Sequence, residues 1–130
     1  FQNMRIGLYT MRGLHKNAKA LSVYDMLYLH TLGSAEVLGI DEQVGSLEVG
    51  KHADFVVVDL RQPDTGPVYD VLASYVLASS LRNLKAVYVG GRKVVQSTDI
   101  LTFDETLVRA EIDRRTSKMR DLAKNLDAPG

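Results

Sequence analysis

Two adjacent glycines between two runs of β-forming residues constrain the fold of this chain more than any other feature. Gly90 and Gly91 separate the run 86–89 from the run 92–95. A glycine pair at this position is typical of the primed turns that close β-hairpins, because both turn residues need a positive φ. Residues 55–58 are a further continuous apolar run, Phe-Val-Val-Val, which predicts a strand covered on both faces. The centre of the chain is therefore expected to contain a small β-sheet.

Two helices are predicted before this sheet. The first is indicated by apolar residues at helical spacing, which are Met4, Leu8 and Met11. The second begins with an acidic capping box, since Asp25 lies three residues after Ser22. It is expected to continue as one helix as far as Gly39, because glycine commonly ends helices. Its many apolar positions imply burial on more than one side.

Two more helices are predicted, one within the sheet region and one after it. Asp70 is expected to cap a short helix that runs from Val71 to Leu77. The tail is expected to form a longer helix that begins with a capping box made by Thr102 and Glu105. Apolar residues follow along one stripe of that helix, and they are Val108, Ile112, Met119 and Leu122.

Composition and charge exclude several classes of function. The 130 residues are 45% hydrophobic and 25% charged, which is typical of a globular domain with its own core. Sixteen dispersed basic residues balance sixteen acidic ones, so we expect binding neither to nucleic acid nor to an anionic membrane. The absence of cysteine excludes disulfides, a thiolate metal site and a cysteine nucleophile. No apolar run approaches the ~20 residues of a membrane span, nothing indicates export, and we expect a cytoplasmic location.

Residues 45–52, Gly-Ser-Leu-Glu-Val-Gly-Lys-His, come within one residue of the phosphate-binding loop pattern. Two features argue against that function. His52 replaces the hydroxyl residue that would hold magnesium. The segment also leads into a predicted strand, whereas a phosphate loop opens a helix whose N-terminal amides face the phosphate. We therefore expect no nucleotide binding.

A structural interpretation of the same segment is preferred. Gly45 and Gly50 are expected to bracket a turn that leads into the strand. Lys51 is expected to be solvated, and Asp54 and Asp59 to flank the strand as end or turn residues.

The remaining chemistry-bearing residues do not form a recognisable active site. His15, His30 and His52 have no short-spaced histidine partner, so none is expected to bind a metal. His30 is expected to be a hydrogen-bonded interior or boundary residue, and the other two are expected in loops. No serine lies in a nucleophile-elbow pattern. The pair Asp41-Glu42 is expected to be a solvated turn.

The segment 45–59 closely resembles the amidohydrolase superfamily signature G-S-L-E-P-G-K-D-A-D-L-V-V-V-D. The resemblance assigns a structural role to the matching turn residues, which are Gly45, Ser46, Leu47, Glu48, Gly50, Lys51, Ala53 and Asp54. Two positions depart from it, since Val49 stands where proline is usual and His52 where aspartate is common.

Three other segments extend this resemblance over about residues 1–100. Residues 35–39 resemble the string that ends the family's closing barrel helix, and residues 86–92 resemble a later strand string. Residues 1–5 are similar to the stretch after the last catalytic strand in one branch of the superfamily. That branch contains triazine hydrolases, S-adenosylhomocysteine deaminases and guanine-type deaminases.

The resemblance implies an α/β chain that is the C-terminal fragment of a metal-dependent TIM-barrel hydrolase. It implies the last barrel helices in residues 1–43, part of a small composite β-sandwich in 44–100, and a C-terminal helix and tail in 101–130. A whole barrel takes about 250 residues, which this chain cannot contain. The start at Phe1 is interpreted as a cut through a longer protein. Such a fragment is expected to expose apolar helix faces and strand edges.

The resemblance also implies a catalytic metal that this chain does not hold. Relatives bind zinc or iron through an H-x-H pair, two later histidines and an aspartate, and metal-bound hydroxide attacks the substrate. None of these motifs matches a position here. No catalytic or metal-binding residue is therefore assigned, the substrate-binding residues are unknown, and the fragment alone is expected to be inactive and metal-free.

The activity implied for the parent is hydrolysis of a non-peptide C–N bond. Deamination of a purine, pterin or similar small heterocycle is favoured, while dechlorination or dealkylation of triazines and hydrolysis of a cyclic amide stay open. The expected partners are that substrate, the rest of the parent chain and further copies in a homo-oligomer. The alternative is a non-catalytic α/β module that mediates assembly.

Overall fold

A computed structural model describes residues 1–126 of the chain, with side chains up to residue 124, so the predicted tail at 127–130 lies outside the described residues. The chain divides into two compact units, residues 1–99 and the residues from Ile100 onwards. The helices are α1 (Gln2–Leu14), α2 (Val23–Leu29), α3 (Leu32–Leu38), α4 (Val71–Ala78) and α5 (Glu105–Leu126), with a 3₁₀ turn at Leu81–Asn83. The strands are β1 (Phe55–Val58), β2 (Leu84–Val89), β3 (Arg92–Gln96) and β4 (Asp99–Ile100).

The strands form one four-stranded sheet in the order β1-β2-β3-β4. β1 and β3 each pair antiparallel with the central strand β2. The predicted hairpin is confirmed, since Gly90 and Gly91 join β2 to β3 with φ values of 56° and 76°. Phe55 of β1 stacks on Tyr88 of β2 with ring centroids 4.5 Å apart. This pair lies on one face of the sheet, and Val56 and Val87 form the next pair, on the opposite face.

The strand at residues 55–58 is confirmed, but the expectation that both of its faces are covered is wrong for the described chain. Val56 is 48% exposed and Val57 is 41% exposed. Since successive side chains point to opposite faces, both faces of β1 are partly open. The physical reason is that β1 lies at the edge of the sheet, and residues 1–126 contain no second sheet to cover it.

The helices before the sheet begin as predicted and then depart from the prediction. The capping box of α2 is confirmed, since Ser22 Oγ accepts from the Asp25 N–H and the Asp25 carboxylate accepts from the Ser22 N–H. The single helix predicted to reach Gly39 is wrong, because the chain breaks into α2 and α3 at Thr31. This residue has φ −128° and ψ −100°, and its hydroxyl donates to the Leu27 carbonyl at 2.8 Å. Gly39 ends α3 in the left-handed conformation, as predicted.

The cap of α4 is confirmed and the cap of α5 is not. Asp70 accepts a hydrogen bond from the Ala73 N–H at 2.8 Å. At α5, however, Asp104 rather than Thr102 is the capping residue, because its Oδ1 accepts from the N–H groups of the second and third helical residues at 2.8 and 3.3 Å. An N-cap side chain must directly precede the first helical residue. Thr102 stands two residues too early.

The hydrophobic core of the first unit is small and lies where α1, α2 and α4 meet. Its buried members are Met4, Leu8, Met26 and Val76. By contrast, Val37 and Leu38 of α3 are exposed, while Gly33 and Ala35 are buried. The burial on more than one side expected for this helix is therefore not found within the described residues. The expectation of exposed apolar helix faces is confirmed. None of the helices described is long and apolar enough to span a membrane.

Candidate functional site

The signature segment links α3 to β1, and its first glycine is held against α3. Gly45 has φ +96°, a conformation that residues with a side chain rarely adopt. A Cβ added there would lie 2.8 Å from the Ala35 Cβ and 2.9 Å from the Leu32 Cα. Gly50 has a similar φ of +97°, but an added Cβ would meet nothing within 4 Å. The first glycine therefore serves close packing as well as backbone conformation, whereas the second serves conformation alone.

Three polar residues of the signature bond to one another inside the turn. The Lys51 ammonium donates to Ser46 Oγ at 2.7 Å and lies 3.3 Å from the Glu48 carboxylate. The Ser46 hydroxyl donates to the same carboxylate. The expected solvated lysine is therefore wrong, since the Lys51 side chain is only 15% exposed. The Ser46 hydrogen bond, followed by the hydrogen bond and charge of Lys51, lowers the pKa of Glu48.

The end of the signature is hydrogen-bonded to the turn of the β2–β3 hairpin. The Gly91 N–H donates to the Ala53 carbonyl at 2.9 Å. The Gly90 N–H donates to Asp54 Oδ1 at 2.6 Å. The role predicted for Asp54 as a strand-end residue is confirmed, and its side chain also satisfies a donor of the tight turn. Together these bonds fix where the signature enters the sheet.

Beyond β1, sequence reasoning missed a buried polar residue that holds the other end of the strand. Asn83 is fully buried. Its Nδ2 donates to the Asp59 carbonyl at 3.1 Å, and its own carbonyl accepts from the Asp59 N–H at 2.8 Å. Its Oδ1 accepts from the Ser80 N–H at 2.8 Å. The available signal was the Ser80-to-Asn83 spacing of three, which is that of a capping box.

The Asp59 side chain forms an ion pair with Arg61 and lies 4.0 Å from the Lys85 ammonium. It accepts from the Arg61 guanidinium at 2.9 and 3.0 Å, and these bonds hold the pKa of Asp59 well below its ordinary value. The predicted role of Asp59 as a turn residue is confirmed. The arrangement is structural, because the side chain is bonded to its own turn and paired with the neighbouring strand β2.

The three histidines lie on separate elements. His15 follows the end of α1, His30 follows the end of α2, and His52 lies in the signature segment. His30 Nδ1 lies 3.0 Å from the Met26 carbonyl, so the predicted hydrogen bond is confirmed. The interior or boundary location expected for His30 is wrong, because the residue is exposed. Among residues 1–126, no group of three or more His, Cys, Asp or Glu side chains could hold a metal ion. The donor set in this part of the chain therefore does not fit a catalytic metal.

The first unit contains an open apolar groove of about 870 Å³. Residues of α2, α3, α4, the signature segment, β1 and β2 line it. Aliphatic side chains dominate its walls, and they include Leu27, Leu38, Val56, Val58, Val87 and Val89. Such a groove can bury an apolar surface, but its lining contains no nucleophile paired with a base. The geometry describes a packing surface rather than a reaction centre.

Comparison with known proteins assigns the chain to a family. The sequence model of the Amidohydrolase family matches residues 1–94, and the chain belongs to that family. The match includes the signature, β2 and the first three residues of β3, so the resemblance found in the sequence is confirmed.

Several relatives are similar over most of this chain. The 5-methylthioadenosine/S-adenosylhomocysteine deaminases of Bacillus thuringiensis (strain Al Hakam) and Bacillus cereus (strain G9842) are each 40% identical over 115 residues. The aligned part is 88% of this chain and 26% of the relative. The chain thus spans about a quarter of the length of the curated relatives that it matches.

Two solved structures share the arrangement of helices and strands. A zinc-bound adenosine deaminase from Xanthomonas campestris is 28% identical with a TM-score of 0.85, over 91% of this chain and 27% of that one. The zinc complex of atrazine chlorohydrolase from Arthrobacter aurescens TC1 is 26% identical with a TM-score of 0.75, over 84% and 24% of the two chains.

Proposed function

We propose that this chain is the C-terminal part of a metal-dependent amidohydrolase that deaminates a purine, with adenosine derivatives as the favoured substrates. The observation that carries the proposal is the 40% identity, over 88% of the chain, to deaminases of 5-methylthioadenosine and S-adenosylhomocysteine. The similarity in fold to an adenosine deaminase, with a TM-score of 0.85, supports the same substrate class.

Within that parent, residues 1–43 would supply the last helices of the barrel and residues 44–100 part of a β-sandwich. Residues 101–130 would form the C-terminal helix and tail. The exposed face of the sheet supports this division, because Val56 and Val89 are open to solvent on a face that is apolar enough to be interior. The edge strand β1 supports it too, since an uncovered apolar edge is a surface that proteins normally pair or protect.

The contribution of this chain to the activity would be structural, through the positioning of other elements. The signature turn is fixed at one end by the close approach of Gly45 to α3 and at the other by the bond of Asp54 to the hairpin. It would thereby hold the barrel helices and the sandwich in a fixed relation. Active sites need such rigid support, because errors of about 1 Å in position cost large factors in rate.

The metal of the parent is not assigned to this chain. The donor groups of residues 1–126 do not converge, so the proposal places the metal ligands and the substrate pocket in other parts of the parent. The zinc found in the two structural relatives supports a divalent metal in the parent.

The test is a comparison of two purified proteins, the parent protein that contains this chain and the 130-residue chain alone. Ammonia release would be measured with adenosine, 5-methylthioadenosine, S-adenosylhomocysteine and guanine, and chloride release with atrazine. We expect the parent to release ammonia from an adenosine derivative and the isolated chain to release none. Deamination by the isolated chain, or a parent active on atrazine alone, would contradict the proposal.

A parent that is inactive on the whole panel after reconstitution with zinc and with iron would contradict deamination. That outcome would favour the alternative of a non-catalytic module that mediates assembly. Metal content of the parent, measured by mass spectrometry, separates a missing metal from a missing activity.

A further inference from the structure

The helix α5, in the second unit, carries a seam of apolar residues along one side. The seam consists of four apolar residues and one arginine, which are Val108, Ile112, Arg115, Met119 and Leu122. The intervals between successive members are four, three, four and three residues. This alternation is the heptad spacing of residues that face a partner helix. All four apolar side chains are between 42% and 69% exposed.

The charges of this helix are segregated along its length. Residues 104–113 contain four acidic residues and one basic residue, whereas residues 114–124 contain five basic residues and one acidic residue. In an antiparallel pair of α5 helices, the acidic first half of each helix would lie beside the basic second half of the other. In a parallel pair, each half would instead face its own charge.

A shallow pocket, called the hollow below, lies beside the first half of α5. The second half of α5 from another copy could pack into it. The hollow has a volume of about 430 Å³. Its lining residues, all from this unit, include Ile100, Phe103, Val108 and Ile112. On the second half, the side chains of Met119 and Leu122 are exposed. Antiparallel pairing brings these two projecting side chains over the hollow of the partner.

We propose that α5 is a self-association surface, and that its partner is α5 of a second copy of this chain in antiparallel orientation. The midpoint of the charge pattern, between Asp113 and Arg114, sets the two-fold axis. Val108 of one copy then faces Met119 of the other, and Glu105 lies beside Leu122. Arg115, which bonds to Glu111 at 2.7 Å, lies near the axis and beside the acidic half of the partner. The contact repeats symmetrically, as an isologous interface must.

Site-specific crosslinking tests the orientation, and the absence of native cysteine makes each introduced thiol unique. In the 130-residue chain, Arg115→Cys should crosslink to itself with a short bismaleimide, because the two copies of this position lie near the axis. Leu122→Cys alone should not crosslink, since its counterpart lies about 25 Å away along the helix at 1.5 Å per residue. A mixture of Leu122→Cys and Glu105→Cys chains should form the mixed dimer.

Dimerisation itself is measured by sedimentation across a concentration series. Ile112→Asp should weaken the dimer at least tenfold. Leu107→Asp, at an exposed apolar position outside the seam, should leave it unchanged, and circular dichroism checks that both variants keep their helix. A monomer at all concentrations would overturn the proposal, as would self-crosslinking of Leu122→Cys or equal weakening by both aspartates.

Discussion

Gly45 lies so close to Ala35 that a methyl group on the glycine would sit 2.8 Å from the alanine Cβ. Gly45→Ala is therefore expected to strain the backbone, at about 1–2 kcal/mol for a left-handed residue, and to overpack the contact with α3, at about 1–3 kcal/mol more. Gly50→Ala is the matched control, because it shares the positive φ but has open space for the methyl. Urea unfolding should show the larger loss for Gly45→Ala. Equal losses would mean that close packing contributes nothing there.

Because the Gly90 N–H donates to Asp54 Oδ1, the stability of the hairpin is expected to depend on this one carboxylate. Asp54→Ala removes the acceptor and should destabilise the chain by about 0.5–1.5 kcal/mol, the usual net range for a hydrogen bond, since this bond is exposed to solvent. Asp54→Asn keeps an acceptor oxygen and should lose less than half as much. Thermal unfolding measures both. A loss for asparagine as large as that for alanine would show that charge, rather than the bond to Gly90, is the important property.

The lowered pKa of Glu48 predicts a pH dependence of folding. Because the pKa in the folded state lies below the ordinary value of 4.5, the stabilisation is fully present above about pH 4.5. It is lost as the pH falls through the folded-state pKa. The free energy of unfolding should therefore fall as the pH is lowered below about 4.5, and it should fall less in Glu48→Gln.

Ser46→Ala provides a second check on the origin of that pH dependence. The Ser46 hydrogen bond is the largest cause of the lowered pKa of Glu48, so its removal should also reduce the drop at acidic pH. If both variants follow the unsubstituted chain at each pH, the bonds inside the signature turn do not contribute to its acid stability.

The N-cap of α5 predicts that Asp104 contributes more to the stability of the helix than Thr102 does. Asp104→Ala removes the acceptor of two helix N–H groups and should destabilise the helix by about 1 kcal/mol. Thr102→Ala should have little effect, since Asp104 is the cap. Amide hydrogen exchange at Thr106 and Leu107 provides the measurement. Faster exchange in Thr102→Ala than in Asp104→Ala would contradict this assignment.

Local patterns in the sequence predicted much of the fold because the forces behind them are local. The hairpin follows from the positive φ that Gly90 and Gly91 provide, and the cap of α4 follows from Asp70 alone. The break at Thr31 was missed, since apolar spacing continues through it and the deciding bond to the Leu27 carbonyl depends on the folded backbone. The α5 cap was displaced by two residues, because Asp104 directly precedes the helix and competes with the more recognisable Thr102.

The features missed in the signature depend on distant contacts. Lys51 was expected in solvent, as isolated lysines usually are, but Ser46 and Glu48 hold it inside the turn. The full burial of Asn83 depends on bonds to residues far away in the chain, such as Asp59. The burial of β1 was overestimated because an apolar run predicts that a strand is covered but does not indicate which residues cover it. Residues 1–126 contain no second sheet that could do so.

The proposal that the rest of a longer chain covers the sheet is tested most directly by hydrogen–deuterium exchange at β1. The amides of residues 55–58 would be followed in the 130-residue chain and in the parent protein, at the same pH and temperature. We expect exchange in the parent to be slower by at least a hundredfold, because pairing of the edge and burial of Val56 and Val57 remove these amides from water. Equal exchange rates in the two proteins would mean that β1 is a true surface strand, and would contradict its assignment to the interior of an amidohydrolase.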